Sequence, residues 1–392
     1  MDIIEEKIEQ AIGILVELDI DAWMLFVRET DEMADPSFKM IAPAGVVWQS
    51  ALIFTRSGER VAIVGHFDAE IFRRSGLYSE VIGYHQGIAE HLRSVFARLN
   101  PRQIALNYSV SSHAADGLAY GMYLTLQQSL SGTPFAGRFV SAEDIVTRVR
   151  GRKSASEMTL IRAAVETTET MFANLTPHLR PGTTEKQVAA VLRGWMNERG
   201  VEAGWDPAGC PIVNAGPNAD SGHAGPTDQL IQRGQVVHLD FGVKQDGFCS
   251  DLQRLWYLRR RGERRAPQSV LRAFAAVRAA IAAGAAALRP GAIGWQVDDA
   301  ARRSIVAAGY PEFQHALGHQ LGRTAHDGST ILGPRWERYG TTPFGAAEVG
   351  NVFTLELGVQ TEAGMVALEE DVLVTEHGCE MLSTPQTEMW YV

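Results

Sequence analysis

At 392 residues the chain is too long for one ordinary domain, and a formal net charge of −10 argues against nonspecific nucleic-acid binding. Hydrophobic residues at 45% and charged residues at 21% describe a globular protein able to bury a large core. Arg278 interrupts the alanine-rich stretch 274–288, which is too short for a membrane span, so no membrane contact is expected.

The opening MDIIEEKIEQ is acidic and lacks the positive flank and apolar core of a signal peptide. Cys210, Cys249 and Cys379 lie far apart without a CxxC pattern, as suits buried thiols in a reducing compartment. A cytoplasmic enzyme is expected. An amphipathic helix over 3–18 should lead into an apolar strand over 22–27. Further strands are expected over 51–55, 61–64 and 104–106, with helices between them, while 28–43 reads as polar and irregular. This first α/β domain, residues 1–148, should close near Val149, where the polar GRKSASE begins. Ser154 and Glu157 there suggest a capping box. The helix that follows keeps Leu160, Ile161, Ala164, Val165, Thr168, Met171, Phe172 and Leu175 on one face.

The second domain, 149–392, contains an internal duplication. Leu179-Arg180-Pro181-Gly182 recurs as Leu288-Arg289-Pro290-Gly291 at an offset of 109, and Gly200 recurs as Gly309. Farther on, Gly234-Gln235-Val236-x-x-Leu239-Asp240-x-Gly242-Val243 matches Gly350-Asn351-Val352-x-x-Leu355-Glu356-x-Gly358-Val359 at an offset of 116. Each half reads helix, turn, helix, strand, strand, and two such halves can pack about a pseudo-twofold axis. Asp240 and Glu356 then hold equivalent places. The second strand of each hairpin brings another acid, Asp251 after the Asp246-Gly247 turn and Glu369 after Ala363-Gly364.

Asp240, Asp251, His319, Glu356 and Glu369 all sit in apolar, strand-like stretches, where an unpaired carboxylate is costly. Four carboxylates gathered in this way would repel strongly without cations between them. One imidazole among many oxygens suits manganese, cobalt or zinc and is too poor in sulfur for structural zinc. Two such ions can polarise a carbonyl and activate water, which points to amide hydrolysis. His223, His315 and His326 cluster around these ligands as candidates for orienting substrate, stabilising an oxyanion or moving a proton. His238 reads as structural, and the basic run 259–265 as a solvated loop.

The segments HAGP, HLDFGVKQDGFCSDLQR, HALGHQLGRTAHD, TLELG and LEEDVLVT resemble, in order and spacing, the motifs of the creatinase/prolidase-like "pita-bread" metallopeptidases. That resemblance spans roughly 148–375. It implies an α/β (α+β) fold in which a creatinase-like N-terminal domain precedes a pseudo-twofold pita-bread catalytic domain. It further implies that Asp240 binds one metal, Asp251 and Glu369 bridge two, and His319 and Glu356 bind the second. Glu356 would also act as acid and base, and His223, His315 and His326 would serve substrate and proton transfer. Two divalent ions are expected, manganese favoured over cobalt or zinc, with a homodimer whose 31–38 loop and Trp48 rim the neighbour's pocket.

Two departures stand out. Leu357 follows Glu356 where the family often has proline, and Ala367 stands where proline-specific members carry arginine. The stretch Asp327-Gly328-Ser329-Thr330 also lacks an arginine found in some dipeptidases, for which Arg323 is the candidate replacement. The expected activity is that of a Xaa-Pro dipeptidase. A Xaa-Pro aminopeptidase, a metal-free creatinase-like hydrolase and a binding protein without catalysis are the alternatives.

Overall fold

The computed structural model describes residues 3–219 and 225–392, which form two compact units, Met1–Ser154 and Ala155–Val392. The first lies past the expected close at Val149. The reason is a helix, Glu143–Gly151, whose Ile145, Val146 and Val149 belong to the first unit's core.

The first unit is a six-stranded mixed sheet. Its strands are β1 (Ala22–Val27), β2 (Ser50–Thr55), β3 (Arg60–Gly65), β4 (Glu80–Tyr84), β5 (Ile104–Leu106) and β6 (Phe139–Ser141), in the order β4-β3-β2-β1-β5-β6. All six residues of β1 are buried, so the strand reads as a continuous apolar run with both faces covered. Trp23, Leu25 and Val27 face a core shared with the helix Ile3–Glu17, whereas Met24 and Phe26 face another shared with the helices Ala89–Leu99 and Tyr120–Ser129. The sequence missed β4 and β6, which are short and half-exposed.

The stretch 28–43 is less irregular than expected, because Phe38–Ile41 forms a helical turn that buries Phe38, Met40 and Ile41. Asp35 and Phe38 are also buried inside this unit, which removes both side chains from any rim offered to a neighbour. Trp48 is 37% exposed.

The second unit is organised by one sheet. In chain order its strands are β7 (Glu202–Ala203), β8 (Ile212–Ala215), β9 (Val236–Phe241), β10 (Val243–Gln245), β11 (Phe248–Cys249), β12 (Leu252–Tyr257), β13 (Gly318–His319), β14 (Ile331–Leu332), β15 (Val352–Thr361), β16 (Gly364–Thr375), β17 (Gly378–Met381) and β18 (Trp390–Tyr391). The central sheet runs β15-β16-β12-β9-β8, with β17 added to β16 and β18 to β12.

The helices of the two halves are Ala155–Leu175 with Glu185–Arg199, and Gln268–Ala287 with Gly294–Ala307. The helix Gln268–Ala287 is long and apolar enough to span a membrane, contrary to expectation. Its apolarity has a local cause: Val270, Ala273, Phe274, Val277, Ala280 and Ile281 pack into the core with residues of β15 and β16.

The duplication holds at the level of single hydrogen bonds. Gly182 N–H donates to Ile231 O at 2.8 Å, and Gly291 N–H to Ala347 O at 2.8 Å. These glycines have φ of 90° and 81°, a left-handed conformation that glycine adopts without strain. Gly234 N–H reaches Leu258 O as Gly350 N–H reaches Val374 O, again 116 residues on. The hairpins therefore align residue for residue, pairing Asp240 with Gln253 in one and Glu356 with Glu369 in the other. By this register the counterpart of Glu369 is Gln253, and that of Asp251 is Ala367.

Candidate metal centre

Strand alternation turns the ligands toward one place. Asp240 on β9 lies opposite Gln253 on β12, Gln253 lies opposite Glu369 on β16, and Glu369 lies opposite Glu356 on β15. Asp246 and Gly247 have φ of 50° and 82°, and this tight turn returns the chain so that Asp251 enters just before β12. His319 arrives on β13. Gly318 makes that approach possible, since a Cβ there would lie 1.9 Å from Thr354 O. The loop before His319 is fixed by a buried pair on the last helix. Asp298 and Arg302 bind each other at 2.7 Å, Arg302 donates to Phe313 O and to His315 O (2.7 Å), and Asp298 accepts from Leu317 N–H.

Donor atoms of Asp251, His319 and Glu369 all lie within 4.8 Å of one another, and His319 Nε2 stands 3.7 Å from Asp251 Oδ2. Asp240 and Glu356 join through their partners. Gln253 Nε2 donates to Glu356 Oε2 at 2.9 Å and to Glu369 Oε2 at 3.1 Å. Burial pushes the Asp240 carboxyl up to about 7, against a hydrogen bond from Asp251 that lowers it. Burial and the neighbouring Asp240 charge push Glu356 up to about 8. Asp251 and Glu369 lie well above the usual carboxylate range, first through burial and then through repulsion by neighbouring acids, Asp371 among them. Burial and then His326 hold the His319 imidazole down at about 3, neutral and able to ligate.

The donor set fits divalent cations. Asp240 Oδ1 is buried without a hydrogen-bond partner, and the acids that repel one another have no cationic side chain among the causes that shift them. Buried carboxylates of this kind are stabilised by a coordinated metal.

A cavity of about 420 Å³ opens beside the cluster and reaches Asp240 and Glu356. Its wall is apolar at Ile212, Phe313, Leu357, Val359, Met365 and Ala367, with His238, Gln253 and His315 as polar points. His315 lines this cavity. His326 packs edge-on to His319 with ring centroids 4.2 Å apart. His223 lies outside the described residues. His238, read as structural, instead lines the cavity and binds Gln253 at 2.9 Å. Its weak signal was the two-residue spacing from Asp240, which puts both on one strand face.

Arg323 does not take the place of the missing arginine. Its guanidinium donates to Glu157 at 3.3 Å and lies 4.9 Å above the Phe248 ring, and it is not among the cavity-lining residues. The space beside Ala367 is left to the cavity.

Comparison with known proteins places this geometry in context. The model of "Metallopeptidase family M24" matches residues 159–376. An uncharacterized peptidase of Staphylococcus saprophyticus is 28% identical over 360 residues, covering 90% of this chain and 91% of its own. The solved Xaa-Pro dipeptidase from Bacillus anthracis superposes with a TM-score of 0.75 at 22% identity, covering 99% of this chain and 100% of that one. The X-Pro aminopeptidase from Thermotoga maritima gives 0.71 at 24% identity, covering 98% and 99%.

Proposed function

The chain belongs to metallopeptidase family M24, whose members are metal-dependent peptidases with this pita-bread fold, and from that premise we propose that it is a Xaa-Pro dipeptidase. The observation that carries the reading is the cluster of Asp251, His319 and Glu369, with Asp240 and Glu356 beside it, at a cavity sized for a short peptide. Asp240, Asp251, His319, Glu356 and Glu369 would hold two divalent ions, manganese favoured. When bound, such a pair supplies an activated water and polarises the scissile carbonyl.

The residues divide the remaining work. Glu356 Oε2 accepts from Gln253, which leaves Oε1 to take the water proton and later return it to the departing nitrogen. The proline nitrogen is tertiary within the bond and leaves as a secondary amine once it has received that proton. His315, in the cavity wall, donates to the developing oxyanion. His326 steadies the His319 ring, and His223 is assigned to substrate on sequence grounds alone. The apolar wall at Ile212, Leu357, Val359 and Met365 suits the proline ring and the residue before it.

A cytoplasmic homodimer completes the proposal, with Trp48 as a candidate contact. Xaa-Pro aminopeptidase activity is the second reading, and the superposed Thermotoga structure favours it as much as the Bacillus structure favours the first. The test measures bound metal and compares Ala-Pro with Ala-Pro-Ala as substrates, each with added Mn²⁺. Cleavage of Ala-Pro supports the dipeptidase. Cleavage of the tripeptide alone supports the aminopeptidase, and no metal uptake overturns both.

A further inference from the structure

The side chain at position 253 crosslinks two of the candidate ligands, and nothing in the ligand set requires it to do so. Gln253 is 6% exposed and stands between Asp240 and Glu369 in the sheet register. Its nitrogen donates to Glu356 Oε2 and Glu369 Oε2, at 2.9 and 3.1 Å. Its oxygen meets His238 Nε2 at 2.9 Å. An amide oxygen only accepts, so Nε2 of His238 carries the hydrogen of that contact. His238 is itself 6% exposed; its Nδ1 lies 3.4 Å from the Asn214 side chain, a longer contact that leaves the single ring hydrogen to the Gln253 side.

From this chain of contacts we infer that His238 and Gln253 are a positioning pair that orients Glu356 and Glu369 toward the divalent cations. The inference rests on the metal-site reading above. The duplicated hairpin explains the need. At the position related to Glu369, a fifth carboxylate would face Asp240, Glu356 and Glu369 directly. Glutamine keeps the length of glutamate, removes the charge and supplies two N–H donors. Each donor occupies one carboxylate oxygen and so fixes the rotation of the Glu356 and Glu369 carboxylates.

The arrangement works in only one orientation of the amide. Turned over, Gln253 would set its oxygen against two carboxylate oxygens and its N–H groups against His238. The Nε2–H of His238 selects the productive orientation, because it needs an acceptor. Partners of this sort outside the ligand set orient ligands, and their loss typically weakens metal binding about 10–100-fold.

The test titrates chelator-stripped, full-length protein with Mn²⁺ by calorimetry, with circular dichroism as the check of folding. Gln253→Met keeps the length and the apolar volume but removes the donors. His238→Phe keeps the ring but removes the N–H. His238→Gln restores an N–H that can reach Gln253. We expect Gln253→Met and His238→Phe to raise the Mn²⁺ dissociation constant of at least one site about 10–100-fold. His238→Gln should recover most of that loss.

Wild-type Mn²⁺ affinity in both Gln253→Met and His238→Phe overturns the inference. Should Gln253→Met fail to fold, the contrast between His238→Phe and His238→Gln decides, and equal affinity in those two overturns it. Absence of Mn²⁺ binding by the wild type overturns the metal-site reading itself, a separate result.

Discussion

Single side chains carry the chemistry, and their positions were legible to different degrees. The five candidate ligands stood out because each carboxylate or imidazole interrupts an apolar strand pattern, and a buried charge needs a reason. His238 shows the same pattern but was read as structural. Its partner, Gln253, is neutral and fifteen residues away, and only the β9–β12 register brings the two together. Arg323 failed for the opposite reason: it is close in sequence to His326, but Glu157 on a distant helix holds it. For the proposed proton acceptor the expected outcome is direct. Glu356→Gln should lower kcat by roughly 10²–10⁴-fold on a prolyl dipeptide while the fold is retained, as steady-state kinetics would show. A loss under tenfold would remove Glu356 from that role.

Elements set the distances between those side chains, and here the duplication was the readable signal. Two offsets, 109 and 116, foretold paired helices and paired hairpins, because a turn that needs a left-handed glycine leaves a fixed mark in sequence. Close approach between elements leaves a weaker mark. Gly318 reads as a small residue and nothing more, until β13 is seen lying against Thr354. Gly318→Ala should push β13 away, destabilise the protein by about 1–3 kcal/mol in urea unfolding and weaken Mn²⁺ binding through His319. Unchanged affinity with an intact fold would show that β13 need not be so close.

The Asp298–Arg302 pair belongs to the same scale, since it ties the last helix to the backbone on both sides of His315. Both side chains are under 10% exposed. Arg302→Met would strand the Asp298 carboxylate, and breaking a buried pair in this way costs about 3–5 kcal/mol. A denaturation midpoint equal to the wild type's would contradict that assignment.

At the scale of the whole molecule, the site makes stability depend on metal and pH together. Asp240 and Glu356, lifted to about 7 and 8, hold protons in the folded protein that the unfolded chain has already released. Stability from them is therefore present at low pH and lost as pH rises through their folded values. His319 and His238, held down at about 3 and 4, act in the opposite sense, but only below the ordinary histidine value near 6.5. Between about pH 6.5 and 8 the carboxylates act alone. Metal-free protein should lose thermal stability across that window, and Mn²⁺ should restore it while releasing protons. A flat melting temperature from pH 6.5 to 8 in the chelated protein would show that these acids are not strained by their burial.

The architecture of both units followed from apolar strand runs, one-sided apolar helices and repeated glycine turns. The short outer strands, the true end of the first unit and the buried turn at 38–41 depended on contacts remote in sequence.

The most direct test is hydrolysis of Ala-Pro by the full-length protein, stripped with chelator and then reloaded, with bound metal counted by mass spectrometry. Activity should vanish on stripping and return as two equivalents of Mn²⁺ are taken up. Undiminished hydrolysis by metal-free protein, or full reloading without any cleavage of prolyl peptides, would contradict a metallopeptidase acting before proline.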